Sequence, residues 1–309
     1  MPETGGKQSA SAETAAEPVE QPAERPVVLV FGLRPERLFD TEGRIDAFLE
    51  PPDQDRVGVL IEALSSGLQA GGHVIAIVPE WVGAEALERL RMVRSMLDTH
   101  RVAVHETALP PLAATVLASL ASACGPYAPS AGVLASLLPE LEAELHVVTW
   151  LGSVTGLSTP APSFGQHLAS LAPGSAFAVS SFPEPAVHRI GGGDAVPLPQ
   201  IERPSRLVIA ARDGDVGWIT GTVNPALGGL ESRQIEPTPG GQKWWGTGKL
   251  VEAVAFPIDV RSLTAELSEA LDPWVCRWCR ELIARSPCPL CGHRGRPARR
   301  GARPAAPPA

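Results

Sequence analysis

The chain has 309 residues, of which 44% are hydrophobic and 19% charged, and its formal net charge is −8. This composition supports a buried core of ordinary size, and the negative charge excludes a general electrostatic attraction to nucleic acid. No run of roughly 18 apolar residues offers a transmembrane helix, and residues 1–26 lack the apolar centre of a signal peptide. We therefore expect a cytoplasmic protein that does not contact a membrane.

The predicted elements begin after a polar segment, 1–26, whose composition is typical of a disordered acidic tail. The first strand is the apolar run "VVLVFGL", Val27–Leu33, whose β-branched residues indicate burial on both faces. Apolar stripes at helical spacing separate it from the later strands. Those strands are predicted at His73–Glu80, Arg101–Thr107, Leu145–Val154 and Ser175–Phe182.

Strands that alternate with helices from residue 27 to residue 182 predict an α/β fold with a doubly wound, Rossmann-like and mostly parallel sheet. After Phe182 the pattern changes to a β-rich extension, 183–260, with two antiparallel hairpins. One hairpin is expected at Asp213-Gly214, because both residues tolerate a positive φ. The other is expected around the loop "GGQKWWGTG", 240–248. A final helix, Arg261–Leu271, completes a predicted domain of residues 27–271.

Four of the five cysteines form two Cys-x-x-Cys pairs, Cys276 with Cys279 and Cys288 with Cys291. Two such pairs separated by a short loop offer the four thiolates that a tetrahedral zinc ion requires. A dithiol redox site and disulfides are the alternatives, but the first needs a single pair and the second are rare in cytoplasmic proteins. The run "CPLCGH" resembles the second knuckle of zinc ribbons. We therefore predict a closed, structural zinc knuckle over residues 272–293, and a buried structural role for Cys124.

Two features suggest a macromolecular partner. Residues 294–309 carry five arginines and no acidic residue, and predict a disordered basic tail. Within it Arg299 and Arg300 could contact phosphates or an acidic protein surface, with a merely solvated tail as the alternative. Trp244 and Trp245, in the glycine-rich loop, either pack back on the domain or offer aromatic contacts. These features predict a protein or nucleic-acid partner at the C-terminal segment.

The turn Leu171-Ala172-Pro173-Gly174-Ser175 and the order of strands and helices resemble the class I S-adenosylmethionine-dependent methyltransferases. The resemblance implies that Glu80 contacts ribose hydroxyls, that Glu106 faces the adenine, and that the loop at Gly32 lies against the cofactor. The sequence departs from the family at that loop, which reads "VFGLRPERLFD" and has one glycine where the family is glycine-rich.

Catalytic signatures are sparse. The sequence contains no nucleophile elbow, zinc-protease motif or P-loop, and among its seven scattered histidines only His167 and His188 are candidates for acid–base chemistry. We leave open whether the protein is an enzyme. The favoured function is a zinc-containing α/β scaffold or regulatory protein that engages a partner through the knuckle, the basic tail and the tryptophan loop. The alternative is a methyltransferase-like enzyme with a degenerate cofactor loop.

Overall fold

The computed structural model describes residues 25–40, 43–49, 55–192 and 196–295 of the chain. Nearly all of the two predicted tails, 1–26 and 294–309, lies outside these ranges. The strands are β1 (Val27–Phe31), β2 (Arg44–Phe48), β3 (Val74–Pro79), β4 (Val102–Thr107), β5 (His146–Leu151), β6 (Phe177–Phe182), β7 (Ala186–Arg189), β8 (Ser205–Arg212), β9 (Glu231–Ile235), β10 (Leu250–Pro257), β11 (Trp274–Val275) and β12 (Leu282–Ile283). The helices are α1 (Arg56–Gly71), α2 (Ala84–Met96), α3 (Pro111–Cys124), α4 (Ala131–Ala143), α5 (Phe164–Ala169), α6 (Val216–Trp218), α7 (Asn224–Ala226), α8 (Gly241–Trp245) and α9 (Val260–Leu271).

The first part of the chain builds a four-stranded parallel sheet with the order β2-β1-β3-β4. Strands β1 and β3 are buried along their whole length, because apolar and mostly β-branched residues fill both of their faces. Helices α1 and α2 pack on one face of this sheet, and α3 and α4 pack on the other.

The second sheet has six strands in the order β7-β6-β5-β10-β8-β9. Its neighbours pair antiparallel except for β8 and β9, which are parallel. Side chains of β8 and β10 on one face, such as Val208 and Val254, pack into the same core as α3 and α9. The opposite face is covered by the helical segment that contains α6 and α7.

Helix α3 therefore lies between the two sheets, and every one of its residues is buried. Its sequence, "PLAATVLASLASAC", is rich in alanine and serine, whose small side chains let both sheets approach closely. Two of its polar side chains are hydrogen-bonded, since Thr115 Oγ1 donates to the carbonyl of Pro111 and Ser119 Oγ accepts from the amide of Leu38. One core thus joins both sheets through this helix.

The prediction of an α/β fold with a parallel sheet, antiparallel strands in the C-terminal part and a small terminal cysteine unit is confirmed. The fourth and fifth predicted strands, however, do not join the parallel sheet. They correspond to β5 and β6, which pair antiparallel with each other in the second sheet. Their connection contains only the six-residue α5, which rises about 9 Å. This helix is too short to return the chain along β5, which extends for about 20 Å, as a crossover between parallel strands requires.

Both predicted hairpins are wrong. Asp213 has a positive φ, as expected, but the chain then enters a helical segment, because the side chain of Asp215 accepts from the amide of Trp218 and caps it. Strand β9 follows that segment and pairs parallel with β8. The loop "GGQKWWGTG" contains helix α8, and the strands on either side of it, β9 and β10, are separated in the sheet by β8.

The cysteine unit packs against the body of the protein. Strands β11 and β12 form a small hairpin, and β12 lies along the start of α4. Ser130 Oγ donates to the carbonyl of Leu282 at 2.7 Å, and Ser136 Oγ accepts from the amide of Ala284 at 3.0 Å. On another side, Glu281 Oε1 lies 3.1 Å from Nε2 of His73, just before β3. The unit is thus a docked part of the fold.

None of the helices in the described ranges has both the length and the hydropathy needed to traverse a bilayer. The cytoplasmic location stays a prediction, as do the boundaries of the domains proposed for residues 27–271 and 272–293.

Gly132 provides a test of how the cysteine unit docks. A Cβ at this position of α4 would lie 2.5 Å from the carbonyl oxygen of Leu282 and 2.9 Å from Cγ2 of Ile283. We expect Gly132→Ala to lower the free energy of unfolding by about 1–3 kcal/mol through overpacking, although alanine favours helix by about 1 kcal/mol. Urea denaturation measures this change.

Gly165→Ala is the matched control, because a Cβ there would meet only Ser163 Oγ, at 4.0 Å. It should leave stability unchanged or raise it slightly. A Gly132→Ala variant as stable as Gly165→Ala would contradict the docking of β12 on α4.

Candidate functional site

A cavity of about 410 Å³ opens where loops of the two sheets meet, at the carboxyl ends of β1 and β3. Small-molecule sites in proteins have volumes of this order. Segments that follow β1, β3 and β5 contribute to its wall, together with the segment that precedes β10. The lining residues are Gly32, Trp81, Val82, Ser158, Thr159, Gly240, Lys243 and Trp244.

The indole of Trp81 forms one wall of the cavity and is fixed from several sides. Its Nε1 donates to the carbonyl of Leu109 at 3.2 Å, and its ring lies against Gly32 and Gly240. Both glycines have positive φ angles, of +72° and +85°, and a Cβ on Gly32 would come within 2.8 Å of Val82. Glycine is required here because the chain turns and the neighbouring side chains approach the backbone closely.

The polar groups of the cavity lie at its rim. Lys243, Ser158 and Thr159 are exposed there, whereas Trp81, Val82 and Trp244 provide an apolar interior. The Nε1 of Trp244 is buried and has no hydrogen-bond partner among the residues that the structure describes. The cavity therefore suits an amphiphilic ligand, with an apolar part inside and a polar group near the ammonium group of Lys243.

A buried carboxyl group, that of Glu252, lies directly behind the cavity wall. Glu252 is 1% exposed, in the middle of the fully buried strand β10. Its Oε1 accepts from Nε1 of Trp245 at 3.0 Å and from the amide of Leu112 at 3.3 Å, while Oε2 has no partner in the described part of the chain. Burial raises the pKa of this carboxyl to about 7, against the effect of the two donors.

The residues predicted from the sequence to bind a cofactor or a partner are dispersed. Gly32 and Trp244 line the cavity, but Glu80 and Glu106 are exposed, and Glu106 is paired with Arg91 of α2. Trp245 is completely buried. Arg299 and Arg300 lie outside the described residues. His167 and His188 are half-buried and do not line the cavity.

Three residues at this site were not predicted from the sequence: Trp81, Lys243 and Glu252. The last of these left a readable signal, because a single acid inside the apolar run "LVEAVAFP" indicates either a strand with one solvated face or a buried acid with partners. Trp81 and Lys243 gave none, since their place in the cavity depends on contacts between distant segments.

The four cysteines of the two Cys-x-x-Cys pairs form one cluster. Their Sγ atoms all lie within 4.8 Å of one another, with 3.7 Å between Cys276 and Cys291 and 3.8 Å between Cys279 and Cys288. A tetrahedral site with metal–sulfur distances of about 2.3 Å has sulfur–sulfur edges of about 3.8 Å. A disulfide has a sulfur–sulfur distance of about 2.05 Å, so these four cysteines are free, and their sulfur atoms lie close enough together to hold one metal ion.

The two turns that present the cysteines have the same geometry. In the first, the amide of Arg280 donates to the carbonyl of Cys276, and in the second the amide of Gly292 donates to that of Cys288. The residue after each second cysteine has a positive φ, 65° at Arg280 and 75° at Gly292. Burial opposes ionisation of Cys276, but the amides of Cys279 and Trp278 outweigh it and lower the pKa of that thiol to about 7.

No family model and no curated protein matches the sequence. Among solved structures, the DegV family protein Cg2579 from Corynebacterium glutamicum is similar, with a TM-score of 0.52 and 12% identity over 76% of this chain and 98% of its own. A fatty-acid-binding DegV family protein from Thermus thermophilus matches with a TM-score of 0.52 and 13% identity, over 76% of this chain and 100% of its own. A Thermotoga maritima protein with fatty acid binding function, TM841, matches with a TM-score of 0.50 and 10% identity, over 76% of this chain and 100% of its own. At these identities the likeness establishes the fold.

The predicted functions are corrected by these findings. The methyltransferase-like enzyme is wrong, because DegV family proteins share the fold and the fourth and fifth strands are antiparallel. The scaffold that engages a protein or nucleic-acid partner through its C-terminal segment is also wrong, because fatty-acid-binding proteins share the fold. The physical reason is that Trp245 and the cysteine unit are packed into the body of the protein, and Trp244 lines a cavity.

The buried carboxyl of Glu252 predicts a pH dependence of stability. Its pKa in the folded protein, about 7, exceeds its value of about 4.3 in the unfolded chain. The folded state therefore binds the proton more tightly, and stability falls as the pH rises from about 4.3 to about 7. We expect Glu252→Gln, which keeps the acceptor oxygen but cannot ionise, to match the wild type near pH 4 and to exceed it at pH 8 by on the order of 3 kcal/mol.

Urea denaturation across this pH range gives the free energies of unfolding. The exposed Glu88→Gln, on α2, serves as a control that should leave the wild-type pH dependence intact. A Glu252→Gln variant that loses stability with pH as steeply as the wild type would show that the carboxyl is already ionised in the folded protein.

Proposed function

We propose that this protein binds a fatty acid or a similar long-chain aliphatic carboxylate in the cavity between Trp81 and Trp244. The observation that carries the proposal is an apolar cavity of about 410 Å³ with a lysine and two hydroxyl groups at its rim. The fold supports it, since two of the similar structures are of proteins that bind fatty acids.

The interior of the cavity suits an aliphatic chain. Burying a methylene group contributes about 0.8 kcal/mol, and the flat indoles of Trp81 and Trp244 offer large apolar surfaces that lose little conformational entropy. Affinity should therefore rise with chain length until the cavity is full.

The rim suits a carboxylate. Lys243 supplies a positive charge, and Ser158 and Thr159 supply hydroxyl donors. Hydrogen bonds to an ionised acceptor are about twice as strong as those between neutral groups, so an acid should bind more tightly than the alcohol of the same length.

The ligand is tested first by extraction and then by titration. Organic extracts of the purified protein should contain fatty acids by mass spectrometry, and calorimetry of delipidated protein should show affinity rising from octanoate to palmitate. Val82→Trp, which fills the cavity, should weaken palmitate binding by about ten-fold or more. Met96→Trp, on an exposed position of α2, should not.

The head group is resolved by a second pair of variants. Lys243→Ala should weaken binding of the acid but not of the alcohol of equal length, and Lys249→Ala, outside the cavity lining, should affect neither. If the affinity is the same for every chain length and is unchanged by Val82→Trp, any bound lipid lies outside this cavity.

For the cysteine cluster we infer a structural zinc ion. The sulfur–sulfur distances of 3.7 and 3.8 Å fit the edges of a zinc–thiolate tetrahedron. Four thiolates would close the coordination shell, so zinc would stabilise the fold and would not activate water. Arg94 of α2 lies close enough for the Cys291 and Cys288 thiolates to act on its charge, and would offset part of the net negative charge of such a centre.

Metal analysis of the purified protein should return about one zinc ion per chain. Cys288→Ser should lose the metal and lower the thermal midpoint, because the unit that docks on α4 would lose its internal support. Cys124→Ala, at a buried cysteine outside the cluster, should retain zinc. A stably folded wild-type protein without zinc, or a Cys288→Ser variant that keeps it, would refute this assignment.

A further inference from the structure

Glu252 has an arrangement that the ligand cavity alone does not explain. A buried carboxyl group without a cation is costly, and none of the described residues that face it carries a charge. These are Thr149 on β5, Ala210 on β8, Leu112 on α3, and Gly241 and Trp245 on α8. The role of the acid must therefore lie in the hydrogen bonds that it accepts.

Both hydrogen bonds of Glu252 end on the same oxygen, Oε1, and come from two segments that are far apart in the chain. One donor is the indole of Trp245, the last residue of α8. The other is the amide of Leu112, in the first turn of α3. A single oxygen atom thus joins α8 to the start of α3.

These two segments hold different parts of the cavity wall, which meet where the ring of Trp81 lies against Gly240. Helix α8 carries the lining residues Lys243 and Trp244, and its N-cap is Gly240. The segment that leads into α3 holds the other part, because the carbonyl of Leu109 accepts from Nε1 of Trp81. The position of α8 relative to the segment that holds Trp81 therefore depends on the two hydrogen bonds at Oε1.

We propose that Glu252 is a positioning residue for the ligand cavity: its Oε1 holds α8, which carries Lys243 and Trp244, in place relative to the segment that holds Trp81. It touches no ligand and acts through Trp245 and Leu112. This inference rests on the proposed binding of an aliphatic acid, and it identifies what fixes the shape of that site.

The neutral acid is compatible with this role. Because both donors point to Oε1, a proton on the carboxyl resides on Oε2 and leaves the joint undisturbed. Thr149 is the direct cross-strand neighbour of Glu252, and its Oγ1, like Oε2, is buried without a partner within the described ranges. A glutamine at this position would preserve the acceptor oxygen and place its amide nitrogen toward Thr149.

The test compares palmitate affinity by calorimetry in delipidated variants. Glu252→Leu removes the acceptor and should weaken binding by about ten-fold or more, because α8 and the start of α3 are then no longer held together. Glu252→Gln keeps the acceptor and should restore binding to within about three-fold of the wild type. Val254→Ala is the stability control, because Val254 faces α3 from the same side of β10 but joins no wall, and it should bind like the wild type.

Trp245→Phe, which removes one donor alone, answers the same question if Glu252→Leu does not fold. It should weaken binding by about five-fold, whereas Trp218→Phe, on the other side of the second sheet, should not. Wild-type affinity in Glu252→Leu or Trp245→Phe, or an equal loss in Val254→Ala, would overturn the inference while leaving the proposed function intact. A wild-type protein that binds no fatty acid of any length would overturn both.

Discussion

Helix α3 has no solvent-facing side, and the rest of the structure depends on how that constraint is met. A buried helix must satisfy the amides of its first turn without water. Pro110 and Pro111 have no amide hydrogen, so two donors are absent from the start. Of the amides that remain in the first turn, that of Leu112 donates to Glu252 Oε1. The buried acid in β10 is thus a consequence of placing a helix N-terminus between two sheets.

The same constraint fixes where a ligand can bind. The segment that enters α3 also accepts the indole of Trp81 at Leu109, and the acid that caps α3 also accepts the indole of Trp245. Two aromatic side chains from different sheets are therefore oriented by one helix end. The gap that remains between their segments is the cavity, which is why it lies at the carboxyl ends of β1 and β3, where ligands bind in open α/β sheets.

Local chemistry was readable from the sequence, and long-range assembly was not. The run Val27–Leu33 predicted a strand buried on both faces, and the cysteine spacing predicted one four-thiolate cluster, because each pattern depends on residues a few positions apart. Strand β2 was missed, and β5 and β6 were assigned to the wrong sheet, because pairing partners and direction are set by distant segments. The cavity was missed for the same reason, although Gly32, at its edge, had been singled out for a loop that approaches a ligand.

The cysteine unit and the cavity lie at opposite ends of α3, and this separates their contributions to stability and to ligand recognition. The unit docks at Ser130 and Gly132, just beyond the C-terminal end of α3, whereas the cavity adjoins its N-terminal end, about 20 Å away. A closed thiolate centre at that distance has no open ligand position and no contact with the ligand site. Its effect on binding must pass through the stability of the core that it shares with α3 and α4. A metal there would therefore hold the core in which the cavity is formed, and the chemistry of recognition would rest on the residues around Trp81 and Trp244.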